Sequence, residues 1–477
     1  MRKIILATNI AETSVTIDDV AFVIDSGRAK EKNYDPHLKT STLQTAWISQ
    51  ASAKQRKGRA GRTKAGVAFC LYSRRRHDSF RPFLESELLR TPLEELCLLC
   101  KRLGLAPGGE MEENGIPAFL ASALSPPHPK SILNGLHLLV EIGAMEPESN
   151  DLTHLGKCVA ALSLEPRVGK MVIWGYILGV AKATSSMAVA MSHKSPFILP
   201  PSSMQRNADQ AKVELSQGSE SDQITVLNVL QTFDTLARLG RLTSFSNFCR
   251  TRYINEPTIK TIADMRGLIS RELLSLDFPD PNDMSGPHNR NGRHVDLASL
   301  QAAIMAGLYP NVASRISGEA NFSTLTKRKA RIHISSVNAS SGQLLGMKSK
   351  VQQGDIELVA FGELVRGSSS FTMSQTSYIS SPLPLILLCG NLRVQSAYQS
   401  STNQKDDPVV VLNLDDSFYF TASQKLASSI MILRRRLNRA FSSLVSNPAT
   451  GLFDISDTEK SAIETLSALL KIESKCR

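Results

Sequence analysis

The sequence predicts a multidomain protein that begins as α/β, continues as predominantly helical and ends β-rich. Three observations carry this. The first eighty residues hold short apolar runs of the kind that form buried parallel strands: Ile4-Ile5-Leu6, Val20 to Asp25 and Val67 to Tyr72. Residues 152 to 276 carry mostly helical patterning, and beyond Leu300 a helix leads into alternating segments. A chain of 477 residues with 42% apolar residues can bury several cores, so three or four domains are expected.

Taken in order, the run Ile4-Ile5-Leu6 reads as a strand that delivers Ala7-Thr8-Asn9-Ile10-Ala11-Glu12-Thr13-Ser14-Val15-Thr16-Ile17-Asp18 to its carboxyl end, where α/β folds place ligands. Val20 to Asp25 reads as a second strand. The polar stretch after it turns at Asp35-Pro36 and resumes an extended pattern to Trp47 and Ile48, as a hairpin does. A rigidly cationic segment follows, Gln55-Arg56-Lys57-Gly58-Arg59-Ala60-Gly61-Arg62. Arg59 and Arg62 lie three apart on one side of a helix, and the small residues between them allow a phosphate-bearing partner to approach. From Lys54 to Arg76 there are nine Lys and Arg and no acid, against a net charge of +11 for the chain. A solvated face or contact with a nucleic-acid backbone would each account for the run Arg74-Arg75-Arg76.

Pro82 to Leu103 and Ser131 to Ala144 read as helices, the second with Ile132, Leu136 and Leu139 on one stripe. Within the helical region, the Ser/Gln-rich stretch Pro200 to Gln223 reads as a long loop, and Asp277 to Arg293 as a link between two helices. Arg331 to Val337, Ile356 to Phe361 and Leu383 to Leu388 read as strands. The chain should end in a helix from Ser423 to Leu444 and a shorter one from Lys460 to Lys471.

The two N-terminal motifs, in this order, resemble the fifth and sixth motifs of the DEAH/RHA family of ATP-dependent RNA helicases. Leu89-Arg90-Thr91-Pro92-Leu93, Leu152-Thr153-His154-Leu155-Gly156, Glu165-Pro166-Arg167-Val168-Gly169-Lys170-Met171 and Ala306-Gly307-Leu308-Tyr309-Pro310-Asn311 extend the likeness over nearly the whole chain. It departs from the family pattern at Gln223 and Phe233, and Ile334 stands where a proline is often seen. The resemblance implies part of a RecA-like P-loop NTPase domain over residues 1–80, a winged helix over 81–151, a helical ratchet bundle over 152–299, an OB-like barrel over 300–410 and a helical extension over 411–477. It implies that Arg59 and Arg62 are arginine fingers for ATP, that Gln55 orders the γ-phosphate or the attacking water, and that Thr16 and Asp18 meet the nucleotide. Thr8, Asn9 and Ser14 would face the RNA backbone.

The same family needs a G-x-x-x-x-G-K-[ST] phosphate cradle and an acidic motif for Mg²⁺. This sequence has neither: Gly156-Lys157 is followed by Cys158. The pattern is the one expected of a fragment, a short isoform or an incomplete gene model that starts within the second of two RecA-like domains. ATP and Mg²⁺ are thus expected cofactors of a complete protein. RNA is the expected partner, together with an activator protein on the OB-like region. A truncated, non-catalytic RNA-binding or regulatory module is the alternative.

No run of about eighteen apolar residues marks a membrane span, and no secretory signal opens the chain. Seven scattered cysteines fit a reducing cytoplasmic or nuclear compartment. Cys97 and Cys100 have metal spacing, but they lie in an apolar helical stretch without a second pair or a nearby His. No G-x-S-x-G elbow supports a serine hydrolase. Trp174 sits among apolar residues as a core side chain, and only 6% of residues are aromatic, so base stacking should contribute little to RNA affinity.

Overall fold

The computed structural model describes residues 3–13, 17–63, 65–109, 112–282, 296–339, 356–367, 370–398, 408–451 and 455–476. They divide into two compact units, one built from residues 1–93, 117–134 and 365–369, the other from 94–116, 135–364 and 370–477.

The first unit carries the two motifs. Strand β1 (Phe22–Asp25) pairs in parallel with β4 (Val67–Cys70), Phe22 opposite Val67 and Asp25 opposite Cys70. Between them in sequence, β2 (Arg28–Asp35) and β3 (Thr40–Trp47) form an antiparallel hairpin whose register runs from Arg28 opposite Trp47 to Asp35 opposite Thr40. Its turn is fixed by Asp35, whose carboxylate accepts the backbone N–H groups of His37 and Leu38. Asn134 holds the tip by donating to Tyr34 Oη and to the Pro36 carbonyl. The unit's α-helices within residues 1–93 are α1 (Ile10–Thr13), α2 (Gln50–Lys57), α3 (Arg74–Asp78) and α4 (Glu87–Arg90), and a short helix at Ile116–Ala121 lies at the start of its second stretch. Ile48, Ala53 and Phe80 form its small core.

The second unit is larger and its centre is helical. After α5 (Glu94–Arg102), α6 (Pro129–Glu141) enters from the first unit, and α7 (His154–Ala161) follows. Next come α8 (Pro166–Ile177), α9 (Ala181–Ser192), α10 (Ser202–Ser216), α11 (Asp222–Arg238), α12 (Leu242–Thr251), α13 (Glu256–Ser275) and α14 (Leu297–Leu308). Helix α8 is buried on nearly every side, as a helix apolar all round must be. It crosses α14 so closely that a Cβ on Gly307 would lie 2.2 Å from that of Met171, so only glycine admits the contact.

Strands β5 (Val312–Ile316), β6 (Phe322–Thr324), β7 (Lys329–Ile332), β8 (Ile356–Arg366) and β9 (Phe371–Ile379) close into a five-stranded barrel in the order β8-β5-β6-β7-β9-β8. Phe322, Val359, Phe361 and Met373 fill it. After helix α15 (Leu383–Leu388), strands β10 (Leu392–Tyr398), β11 (Val409–Leu414) and β12 (Phe418–Ser423) make an antiparallel sheet. Helices α16 (Gln424–Ser446) and α17 (Asp457–Cys476) end the chain.

Several sequence expectations are corrected. Lys3 to Leu6 have no strand pairing, and Ile4 and Leu6 are exposed. The helix expected over Pro82–Leu103 is two short ones, because Thr91, which precedes Pro92, is driven into an extended conformation. The loop expected over Pro200–Gln223 is largely α10: Met204, Ala208, Ala211 and Leu215 make a helical stripe that the polar composition masked, and the last three are buried. Leu383–Leu388 is a buried helix and not a strand; Pro382 and Pro384 preset its first turn. The strand expected to reach Val337 ends at Ile332, where the His333 ring accepts the Ser335 N–H and the Ser336 hydroxyl accepts the Asn338 N–H. The final helix is longer than expected.

Candidate nucleotide and nucleic-acid interface

Ser49 caps α2, its hydroxyl accepting the Ser52 N–H at 3.1 Å, and the helix runs into a tight 3₁₀ turn at Gly58–Gly61. In such a turn, residues three apart eclipse. The geometry sets Ala60 inward, 2% exposed, and Arg62 outward. Open space surrounds Gly58 and Gly61, whereas a Cβ on Gly66 would lie 1.8 Å from the Ala60 carbonyl oxygen. Glycine at 66 therefore lets β4 approach the turn.

Arg56 ties the two motifs together. Its Nε donates to Glu12 Oε2 at 3.0 Å and its Nη1 to Asp25 Oδ1 at 2.9 Å, with the Arg28 carbonyl as a further acceptor. Burial works against the Arg56 charge, but the hydrogen bonds and charges of Glu12 and Asp25 outweigh it and hold the pKa above the ordinary guanidinium value. Arg59 joins the same cluster by donating from Nε at 2.9 Å and from Nη2 to the Glu12 carbonyl oxygen. Asp25, buried at the end of β1, also accepts the Gly27 N–H and the Tyr72 hydroxyl. Burial, then Cys70 and Asp25, push the Tyr72 phenol well above its usual range, so it remains a donor.

A cleft of about 490 Å³ opens beside this cluster, with Asn9, Thr13, Lys30, Lys32, Gln55 and Arg90 on its walls. The period of two along β2 puts Arg28, Lys30 and Lys32 on one exposed side and Glu31 on the other, where it is buried and paired with Arg81. At the base of the hairpin, the Arg28 guanidinium lies 3.7 Å and that of Arg76 5.2 Å from the Trp47 ring centre.

Of the sequence-predicted residues, Asn9 and Gln55 border one cleft, Arg59 is bound to the carbonyl of Glu12, and Arg62, Thr8 and Asp18 are exposed. Ser14 and Thr16 lie outside the described residues. Sequence reasoning missed Glu12, Asp25 and Arg56 as a network. It also missed Lys30 and Lys32, although their alternation with Glu31 was a legible signal. Arg434, in the basic run 434–436, is buried against backbone carbonyls. Cys97 and Cys100 are buried, and desolvation raises both thiols. Among the described residues no group of His, Cys, Asp or Glu could hold a metal, and no helix is long and apolar enough to cross a membrane.

Three family models match separate stretches: the helicase conserved C-terminal domain over residues 1–64, the ratchet-like helicase-associated domain over 165–226 and an oligonucleotide/oligosaccharide-binding fold over 300–392. The chain belongs to the DEAH/RHA helicase family. An ATP-dependent RNA helicase of Arabidopsis thaliana, DExH1, is 33% identical over 98% of this chain and 43% of its own length. Mouse DHX29, an ATP-dependent RNA helicase, is 33% identical over 99% of this chain and 32% of its own length. Human DHX36, an ATP-dependent DNA/RNA helicase, is 31% identical over 99% of this chain and 44% of its own length. The chain therefore spans less than half of each of these relatives.

Proposed function

We propose that this chain is the C-terminal portion of an ATP-dependent RNA helicase, contributing arginine fingers and an RNA-contacting surface to a motor whose phosphate cradle lies on another domain. The observation that carries this reading is the guanidinium cluster: Arg56 and Arg59 fasten the sixth motif to Glu12 of the fifth, so a displacement at one is felt at the other. The turn bearing Arg59 and Arg62 fits the phosphate end of a nucleotide, because open space lies beside Gly58 and Gly61. Among the described residues no group of three or more His, Cys, Asp or Glu could hold a metal ion, and no residue of this chain is assigned to Mg²⁺.

ATP, when bound by a complete protein, supplies the phosphoryl group whose transfer drives movement. Arg59 and Arg62 would neutralise the charge that spreads over the transferring group, a contribution of about three to five orders of magnitude in related hydrolases. Gln55 would orient the γ-phosphate or water from the end of α2, and Thr16 and Asp18 would meet the nucleotide. Thr8, Asn9 and Ser14, with Lys30 and Lys32, would hold RNA by its backbone and so position it without reading sequence. An activator protein on the OB-like region would be a further partner of the complete motor.

Phosphate release by the chain alone, with and without RNA, tests the division of labour. The expected result is no turnover. Turnover that survives purification and vanishes in Arg62→Ala would overturn it. The alternative, a non-catalytic RNA-binding module, predicts the same silence here, but no recovery of hydrolysis when the chain is joined to a domain carrying the phosphate cradle.

A further inference from the structure

A second cleft lies wholly within the larger unit. It measures about 790 Å³, within the range that holds small-molecule ligands, and α6, α7, α8, α16 and the β10–β12 sheet all line it. Three cations line it, Lys170 of α8, Arg393 of β10 and Arg434 of α16. Among the described residues neither Lys170 nor Arg434 has a carboxylate within ion-pairing distance. Arg434 spends its N–H groups on the carbonyls of Ile386, Cys389 and Gly390. Lys170 has three donors and one acceptor, the Ile142 carbonyl at 3.0 Å. One turn further along α8, Trp174 also lines the cleft; it is 2% exposed and its indole N–H has no partner.

The cleft also receives the N-terminus of α7, at His154 and Leu155. Carboxylates line it too, and the charges of Glu141 and Asp415 act on Lys170 and Arg434 respectively. Asp415 accepts the Tyr309 hydroxyl at 2.5 Å and the Asn391 N–H, Asp416 accepts the Asn413 amide, and Glu141 and Glu146 are exposed. Lys170 therefore keeps N–H donors to spare and the buried Trp174 indole N–H has no acceptor, so donors are left that a bound acceptor would satisfy. Here they share a solvent-open cavity with a helix N-terminus, a feature that attracts anions.

We infer that this cleft is a binding site for a small phosphorylated molecule, whose phosphate Lys170 anchors within the field of Arg434, Arg393 and the α7 N-terminus. It is separate from the RNA and nucleotide contacts proposed for the first unit and does not depend on them.

The chain holds two tryptophans, so a Trp47→Phe background leaves Trp174 as the sole fluorescent reporter. Inorganic tripolyphosphate titrated into this protein should give a saturable change in Trp174 emission. Lys170→Met should weaken it at least tenfold and Lys170→Arg much less. Ser442→Asp, on an exposed cleft-lining position, adds a repelling charge without disturbing the core and should weaken binding severalfold even if Lys170→Met fails to fold. No saturable change, or equal affinity in the Ser442→Asp protein, would overturn the site. A single-stranded RNA oligonucleotide that shifts Trp174 where tripolyphosphate does not would also overturn it, by assigning the cleft to the nucleic acid.

Discussion

The β1–β4 ladder and the helix α8 region are built from equally apolar residues, yet one leaves them in solvent and the other buries them. Phe22 is 66% and Ile24 70% exposed on one face of the ladder, beside Val67 and Phe69. A parallel pair of strands normally has both faces covered, so this face has the chemistry of an interior. Around α8, by contrast, Met171, Val172 and Ile173 are fully enclosed. Arg56 of the first unit pairs with carboxylates; in the second unit Arg434 donates to backbone carbonyls, while Arg266 and Arg315 pair with Asp234 and Glu357. Helix α8 is thus enclosed on nearly every side, whereas the β1–β4 ladder of the first unit presents an apolar face to solvent.

The largest expected effect breaks that comparison if it fails. Leu387→Ala, at a position 1% exposed, should cost about 2–5 kcal/mol of unfolding free energy, because it removes buried methyl groups and leaves a cavity. Ile24→Ala should change stability by no more than about 0.5 kcal/mol in the same chain, as exposed substitutions do. Urea melts of the two variants decide it; equal losses would mean that the ladder is covered in solution.

The next effect belongs to function. In a complete protein carrying a phosphate cradle, Arg59→Ala or Arg62→Ala should lower kcat at least about a hundredfold and leave RNA affinity nearly intact, since the lost contacts form in the transition state. Parallel losses in RNA binding would reassign these arginines to the RNA backbone.

Much of this division was legible in the sequence and some was not. The motifs and the final helices stand out because they rest on fixed spacing or long periodicity. Leu383–Leu388 misled because its five Leu and Ile suit a strand or a helix equally, and only the prolines at 382 and 384 distinguish them. In α10, Ser and Gln composition obscured a stripe that spacing alone would have found. At the candidate site, Arg59 and Arg62 were visible as a motif. The tether of Arg59 to the Glu12 carbonyl was not, because it joins residues 47 positions apart through a backbone atom.

A smaller effect sharpens the contrast in charge. Binding of single-stranded RNA should weaken steeply with salt, with a log–log slope near −3 for a handful of phosphate contacts at about −0.7 each. Lys30→Ala with Lys32→Ala should make that slope shallower by about 1.4, two contacts' worth, because these side chains stand on the exposed side of β2. Fluorescence anisotropy across a salt series reads this directly. An unchanged slope would leave the hairpin lysines as ordinary solvated charges.

The smallest effect concerns Lys170 and follows from its surroundings. Burial lowers its pKa and the neighbouring Arg434 lowers it further, while Cys389 and Glu141 act in the opposite direction. Cys389 is a weak counterweight, since burial pushes its own thiol up to about 12 and keeps it neutral. A lysine whose folded pKa lies below its unfolded value of about 10.4 favours folding as the neutral amine. Its contribution is therefore fully present above the unfolded value and is lost as pH falls through the folded one. The melting temperature of the wild-type chain should accordingly rise relative to Lys170→Met between pH 7 and pH 10. Parallel melts at these two pH values, in phosphate-free buffer, measure the change. A constant gap would mean that the ammonium is as well stabilised in the cleft as in water.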